Sequence, residues 1–312
     1  MSYFRPLYPF VLGWVLILST DTFAPLGLIN GVGQLILFAA VVCLPIWLTG
    51  RMSYVDIGWP WGLVLLACVS LLYSDGYWLR SLVVTVLVVL MGLRMGLGAL
   101  NLWRLGLLKK EFPRYQYQRL RWEQEGKTNV GLALQVDALS QGLANASFLA
   151  LPVFIIAANS SGAFSALELV GLTIALLAFA MESVADFQKV SFLREMKRAD
   201  KKLQVCDVGL WRYCRHPNYF AEWMVWNGLV IAALPSWYAL QGQENTMLWL
   251  LLGGALLFTS RVMYNTLVHG TGAIPSEHYS LEKRPGYKAY QQRTNRFFPG
   301  PRKNEPILSD GC

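Results

Sequence analysis

Eight stretches of the chain are nearly continuous in apolar side chains: 7–20, 28–48, 58–74, 79–101, 143–159, 164–184, 219–236 and 246–266. A helix needs about 20 such residues to cross the roughly 30 Å hydrocarbon core of a bilayer. Most of the runs are near that length, while the first, third and fifth are short. The pattern predicts an all-α, polytopic membrane helix bundle of about 7–8 transmembrane helices, read as one integral membrane domain over residues 1–312. The first run has no convincing small-residue cleavage site behind it and reads as an uncleaved span. No internal repeat or low-complexity segment interrupts the pattern.

The polar connections are of two kinds. TDTFAPLG, SDGYW, SSGAF and the stretch 237–245 contain no Lys or Arg, whereas 104–127, 189–215 and the tail after Thr271 hold 22 of the 27 basic residues. An even number of spans separates each basic segment from the next. All three then lie on one face, which the positive-inside rule makes cytoplasmic, and with eight spans both termini lie there too.

Composition fits this picture. Apolar residues make up 54% and charged residues 15%, against roughly 25% charged in a soluble domain, and the mean hydropathy is +0.38. Disordered, collagen-like and disulfide-stapled chains are excluded. A net charge of +8 would serve nucleic acid only if the basic residues ignored span parity, so no nucleic-acid partner is expected. The five cysteines, Cys43, Cys68, Cys206, Cys214 and Cys312, form no paired framework, and no disulfide is expected. Cys206, Cys214 and His216 match no zinc spacing and lack a fourth ligand, so no metal is expected.

Ionisable residues set against the cost of the membrane are the functional candidates, and three features stand out. Arg94 lies inside VVLMGLRMGLGALNLW, where it either snorkels to the interface or serves a site, with Gly92, Gly96 and Gly98 allowing close helix approach. Asp56, in RMSYVDIGWPW, either caps a helix starting near Gly58 or donates a proton or hydrogen bond at the membrane boundary. The third feature is the densest. Glu182 and Asp186 form an i, i+4 pair at the end of the sixth run, and GLWRYCRHPNYFAEWMVWNG follows the next basic loop. Pro217 suits a first helical turn, so a helix should begin there and present an anion-binding N-terminus beside Arg215 and His216. Asn218 and Glu222, four apart, share a face of that helix and offer an amide and a carboxylate to one ligand; a simple cap and a solvated charge are the bland alternative. The tail PSEHYSLEKRPGYKAYQQRTNRFFPGPRK, with Tyr279, Tyr287 and Tyr290, reads as a lipid-surface segment or as a flap over an opening between spans.

GLWRYCRHPNYFAEWMVWNG together with RPGYKAYQQRTNRFFP resembles the steroid 5-alpha-reductase superfamily, in its bacterial DUF1295-like branch. The match is best over about 181–299, with looser agreement at YVDIGW, GLRMG and RYQYQRLR. The resemblance implies a membrane-embedded oxidoreductase, in a bacterial inner membrane, that holds NADPH from the cytoplasmic side and transfers hydride to the activated C=C bond of a lipophilic enone, a sterol-like or isoprenoid lipid. It implies that Asn218 and Glu222 meet the nicotinamide half and that Asp186 and Glu182 hold sugar or adenine hydroxyls. Arg94 and Arg215 would meet phosphate, His216 would also belong to the cofactor-binding residues, and Tyr287 and Tyr290 would belong to the lid. Asp56 would polarise the substrate carbonyl, with Tyr219 as a second donor and Glu222 beside the reacting ring. Steroid reductases carry asparagine where Glu182 aligns, and their last-loop His and Tyr match His278 and Tyr279 only approximately. The wider superfamily also contains S-adenosylmethionine-dependent methyltransferases, which share the Arg-His-Pro-x-Tyr turn and an acid placed like Glu277. A non-catalytic scaffold or transporter is the alternative from another class.

Overall fold

The computed structural model describes residues 3–201 and 203–303; Cys312 lies outside the described residues. Among them are thirteen α-helices and no strand: α1 Tyr8–Leu18, α2 Ala24–Phe38, α3 Leu44–Thr49, α4 Val55–Tyr73, α5 Trp78–Arg104, α6 Pro113–Gln124, α7 Val130–Ala146, α8 Ala150–Ala158, α9 Ala166–Arg198, α10 Pro217–Ala239, α11 Thr246–Asn265, α12 Ala273–Lys283 and α13 Tyr287–Arg293. A π-helical turn joins α2 to α3 and another follows α11. The fold is an all-α polytopic membrane bundle.

Each of the eight apolar runs falls in a helical segment, but among the described residues six segments are long and apolar enough to cross a membrane: 24–49, 52–73, 78–104, 130–158, 166–198 and 246–283. Two expected spans fall short. α1 has 11 residues, about 16 Å at 1.5 Å per residue. α10 is long enough at 23 residues but carries Asn218, Glu222 and Asn227. The fifth span begins at Val130, thirteen residues before the expected position 143, because its first half is punctuated by Gln135, Asp137, Ser140 and Gln141. Large apolar side chains point outward along the helices, Trp47 at 81% exposure and Leu48 at 76%, as a bilayer requires.

The chain divides into two compact units, one of residues 1–174 with 226–262, the other of 175–225 with 263–312. In the first, the α7–α8 segment is almost wholly buried and breaks near Ser147. Amides satisfy a carbonyl at that break and tie it to α4: Asn30 Nδ2 donates to Asn145 O at 3.0 Å, Asn145 Nδ2 to Trp59 O of α4 at 3.1 Å, and Gln34 Nε2 to Gly62 O of α4 at 2.7 Å. α4 and α5 pack together at Gly92, where an added Cβ would meet Pro60 O and Val64, and at Gly96, where it would meet Trp61. Gly98, expected to join them, faces open space. The loop after α8 closes on Arg80, whose guanidinium binds both oxygens of Glu168 and the carbonyls of Asn159, Ser161 and Ala163.

Candidate functional site

In the second unit, α9 carries Glu182, Asp186 and Lys189 at i, i+4 and i+7, one face of the helix. The loop that follows is pinned back onto that helix. Gly209 takes φ +52° with Gln188 where a Cβ would sit, a left-handed conformation natural to glycine. Leu210 N donates to Gln188 Oε1 at 2.9 Å and Trp211 Nε1 to Ala185 O at 2.9 Å. The chain then enters α10 at Pro217, the expected first helical position.

The tail completes the unit. Tyr290 is buried and its hydroxyl donates to Trp211 O at 2.5 Å, while Phe297 and Phe298 pack edge-on against Phe220 and Trp223. The tail is therefore seated in the unit through buried aromatic contacts. At its centre Glu277, 3% exposed, accepts from Arg215 Nε at 2.7 Å and Nη2 at 3.2 Å, from Gln291 Nε2 at 2.8 Å and from Arg296 Nε at 3.3 Å, with His216 Nε2 3.1 Å away. Arg215 Nη1 donates to the carbonyls of Gln291 and Thr294. Four of its five N–H groups are thus engaged inside the protein, which gives Arg215 a structural role beside the phosphate role that the resemblance implies for it. Glu277, which sequence reasoning noted only as a methyltransferase-like acid, is the hub of this network.

These elements enclose a cavity of about 240 Å³. Asp186, Arg215, His216, Asn218, Tyr219, Tyr287 and Tyr290 line it. Glu182 and Glu222 do not, yet both are buried: each lies one turn along its own helix from the hydrogen bond that Asn218 Nδ2 donates to Asp186 Oδ1 at 3.0 Å. A carboxylate only accepts, so this bond fixes the amide orientation and leaves Asn218 Oδ1 buried with no hydrogen-bond donor among the described residues. Burial holds His216 below the usual histidine range despite the facing Glu277, and its ring stacks on Tyr219 at 5.3 Å and 3°. Burial also pushes the Cys214 thiol up to about 12 and raises Tyr287 and Tyr290. All four are neutral near pH 7. The cavity also exposes Lys189, Trp211, Ser280 and Arg284, which sequence reasoning missed; the α9 face shared with Asp186 was the signal available for Lys189.

Asp56 and Arg94 belong to the first unit. α4 begins at Val55 with no side-chain cap, so the capping role considered for Asp56 is replaced by an ion pair with Arg114 and a hydrogen bond from Tyr115 Oη at 2.6 Å. Burial first, and then the Asp56 charge, raises Tyr115 well above the usual phenol range and keeps it a donor. Arg94 lies partly buried between Gly92 and Gly96 on α5.

A protein-family profile described as "Protein of unknown function (DUF1295)" matches residues 45–294. An uncharacterized protein of Schizosaccharomyces pombe is 27% identical over 173 residues, 48% of this chain and 44% of the relative. The chain thus spans less than half the length of that relative. No solved structure matches the chain.

Proposed function

The chain belongs to the DUF1295 family, and from that premise we propose that it is an NADPH-dependent membrane reductase whose second unit holds the cofactor and which reduces an activated C=C bond in a sterol-like or isoprenoid lipid. The observation that carries the reading is Asn218: its side chain lines the cavity, and its buried Oδ1 has no hydrogen-bond donor among the described residues. A buried amide oxygen without a partner is costly, and the carboxamide N–H of a nicotinamide is a donor of the right kind. The cavity is smaller than the 300 Å³ or more usual for a drug-sized ligand, so it fits one part of a dinucleotide.

When bound, NADPH supplies the hydride. The chain's own residues hold and polarise. Asp186 fixes the Asn218 amide, and Asn218 Oδ1 orients the ring that it accepts from. Tyr219, flat against the neutral His216, presents its phenol at the cavity wall and donates to the carbonyl oxygen on which charge develops as the β carbon is reduced. Tyr219 takes this role ahead of Asp56, whose carboxylate already pairs with Arg114. Glu182 and Glu222, buried one helical turn from Asp186 and Asn218, stay on this reading the candidates for the sugar hydroxyls and the nicotinamide half. Burial in a membrane bundle excludes competing water. On this reading the cavity faces the cytoplasm, which the basic residues of the loop 199–215 and of the tail support by the positive-inside rule.

The S-adenosylmethionine reading needs Glu277 as a ligand-binding acid, but its oxygens are already taken by Arg215, His216 and Gln291, which favours the reductase. Trp211 lines the cavity and reports on it. Titration of the detergent-purified protein should give a saturable quench of tryptophan fluorescence with NADPH and none with S-adenosylmethionine; the reverse would overturn the reading.

A further inference from the structure

Beyond the basic end of α5, the cations of the first unit sort into two sets. Arg114 pairs with Asp56, Arg119 with Glu111 and Lys127 with Glu125. Arg51, Arg104, Lys109 and Lys110 are different: among the described residues none of them has a carboxylate within ion-pair distance. Glu111, next to Lys110 in the chain, is spent on Met52 N, Ser53 Oγ and Arg119. The unpaired cations are gathered by the backbone. Gly106 takes φ +71° and turns the chain after α5, Lys109 lays its stem over that glycine with Nζ 3.9 Å from where a Cβ would stand, and Arg51 Nη1 donates to Lys109 O at 2.7 Å. Leu108 is buried and anchors the turn in the core. Trp103, Leu105 and Leu107 stay exposed beside Arg104, Lys109 and Lys110.

We infer that this edge of the first unit is a docking surface for an anionic phospholipid, with the four cations on its headgroup phosphate and the exposed apolar side chains on its glycerol and acyl region. The site does not draw on the cofactor reading above. The positive-inside rule accounts for basic residues at this end of a span, but it is met equally by the paired set beside them and does not ask for cations without acids. Four like charges brought together repel one another, and a phosphodiester supplies the counter-charge that the chain withholds. The guanidinium groups of Arg51 and Arg104 offer directional donors and the two ammonium groups compact charges. The apolar neighbours choose the source of that phosphate. The membrane-length segment 78–104 ends at Arg104, so Trp103, Leu105 and Leu107 stand at the level where hydrocarbon gives way to headgroups, the usual place of a boundary tryptophan. A lipid meets both halves of such an edge, whereas nucleic acid or an acidic peptide would use the cations alone.

The test is the affinity of the full-length protein in neutral detergent for phosphatidylglycerol and for phosphatidylcholine, each titrated and counted by native mass spectrometry. Variants are Lys109→Gln with Lys110→Gln, Arg104→Gln, and, as a control at the exposed end of α9, Lys197→Gln with Arg198→Gln. The wild type is expected to bind phosphatidylglycerol about tenfold or more tighter than phosphatidylcholine, and the preference to shrink as salt is added. Each cation removed from the edge should weaken phosphatidylglycerol binding by about fivefold, the effect of one basic residue near an anionic surface. Phosphatidylcholine binding should stay within about twofold, and the control pair should match the wild type for both lipids. Wild-type binding without preference would overturn the inference whatever the variants do. So would an equal loss in the control pair, which would assign the effect to net charge. Displacement of phosphatidylglycerol by an equal concentration of inorganic phosphate would show an anion site with no lipid docking, with the same consequence. Thermal midpoints in phosphatidylcholine nanodiscs, expected to be unchanged because the substituted side chains are exposed, keep a folding defect apart from lost lipid binding.

Discussion

Substituting Glu277 by leucine lowers the stability of the protein by about 3–5 kcal/mol, the usual loss when one partner of a buried ion pair is removed. That is a large part of the 5–15 kcal/mol available to a typical domain. The expected loss follows from what remains behind. Arg215, 7% exposed in its side chain, keeps its charge away from water with only the Gln291 and Thr294 carbonyls as partners, and Gln291 and Arg296 lose their acceptor as well. The unit that holds the cavity therefore opens first on heating. Thermal unfolding in detergent checks this, and Arg215→Met placed on top of Glu277→Leu separates the cause. If the damage is the stranded charge, the double variant is more stable than Glu277→Leu alone, a coupling of the kind that a double-mutant cycle measures. A single variant that unfolds like the wild type would refute the hub role.

Arg80 is expected to be as sensitive in the first unit, and for a geometric reason. All five of its N–H groups are used: Nε and Nη2 on the two oxygens of Glu168, the rest on the carbonyls of Asn159, Ser161 and Ala163, with Phe164 stacked 4.7 Å from the guanidinium. Arg80 and Glu168 are each 1% exposed. Arg80→Ala should cost about 3–5 kcal/mol, and Arg80→Lys nearly as much, since an ammonium cannot reproduce a planar fork that reaches three carbonyls and a carboxylate together. Thermal midpoints of the two variants decide this; rescue by lysine would show that charge alone holds the loop.

Particular residues show which features were legible in the sequence. The start of α10 was readable because Pro217 has only a few places to go, and the i, i+4 relations of Glu182 with Asp186 and of Asn218 with Glu222 follow from helical pitch. The first half of the fifth span was not readable. Its polar side chains lower the apolar score of the segment, and nothing local tells that Asn145 will meet Trp59 and Asn30. The two ion-pair hubs were hidden for the same reason: Glu277 lies 62 residues from Arg215 and Glu168 lies 88 from Arg80. One local signal did exist, because Ser165 and Glu168 form a reciprocal capping box at the start of α9, and a carboxylate in that position is poised to take a cation. The cavity needed α9, the loop around Trp211, α10 and the tail together, so sequence spacing supplied Asp186 and Asn218 as separate pairs without the hydrogen bond that joins them. Nor could it show that Arg215, to which the resemblance gives a phosphate, also binds Glu277.

If Asn218 Oδ1 accepts from a nicotinamide carboxamide, as proposed above, the dissociation constant of NADPH for Asn218→Leu separates from that of the wild type. Because the nicotinamide half is common to both dinucleotides, NADPH and NADH affinities should fall together, by about tenfold or more, while the variant remains folded by its thermal midpoint. A folded Asn218→Leu protein that binds NADPH as tightly as the wild type would contradict it.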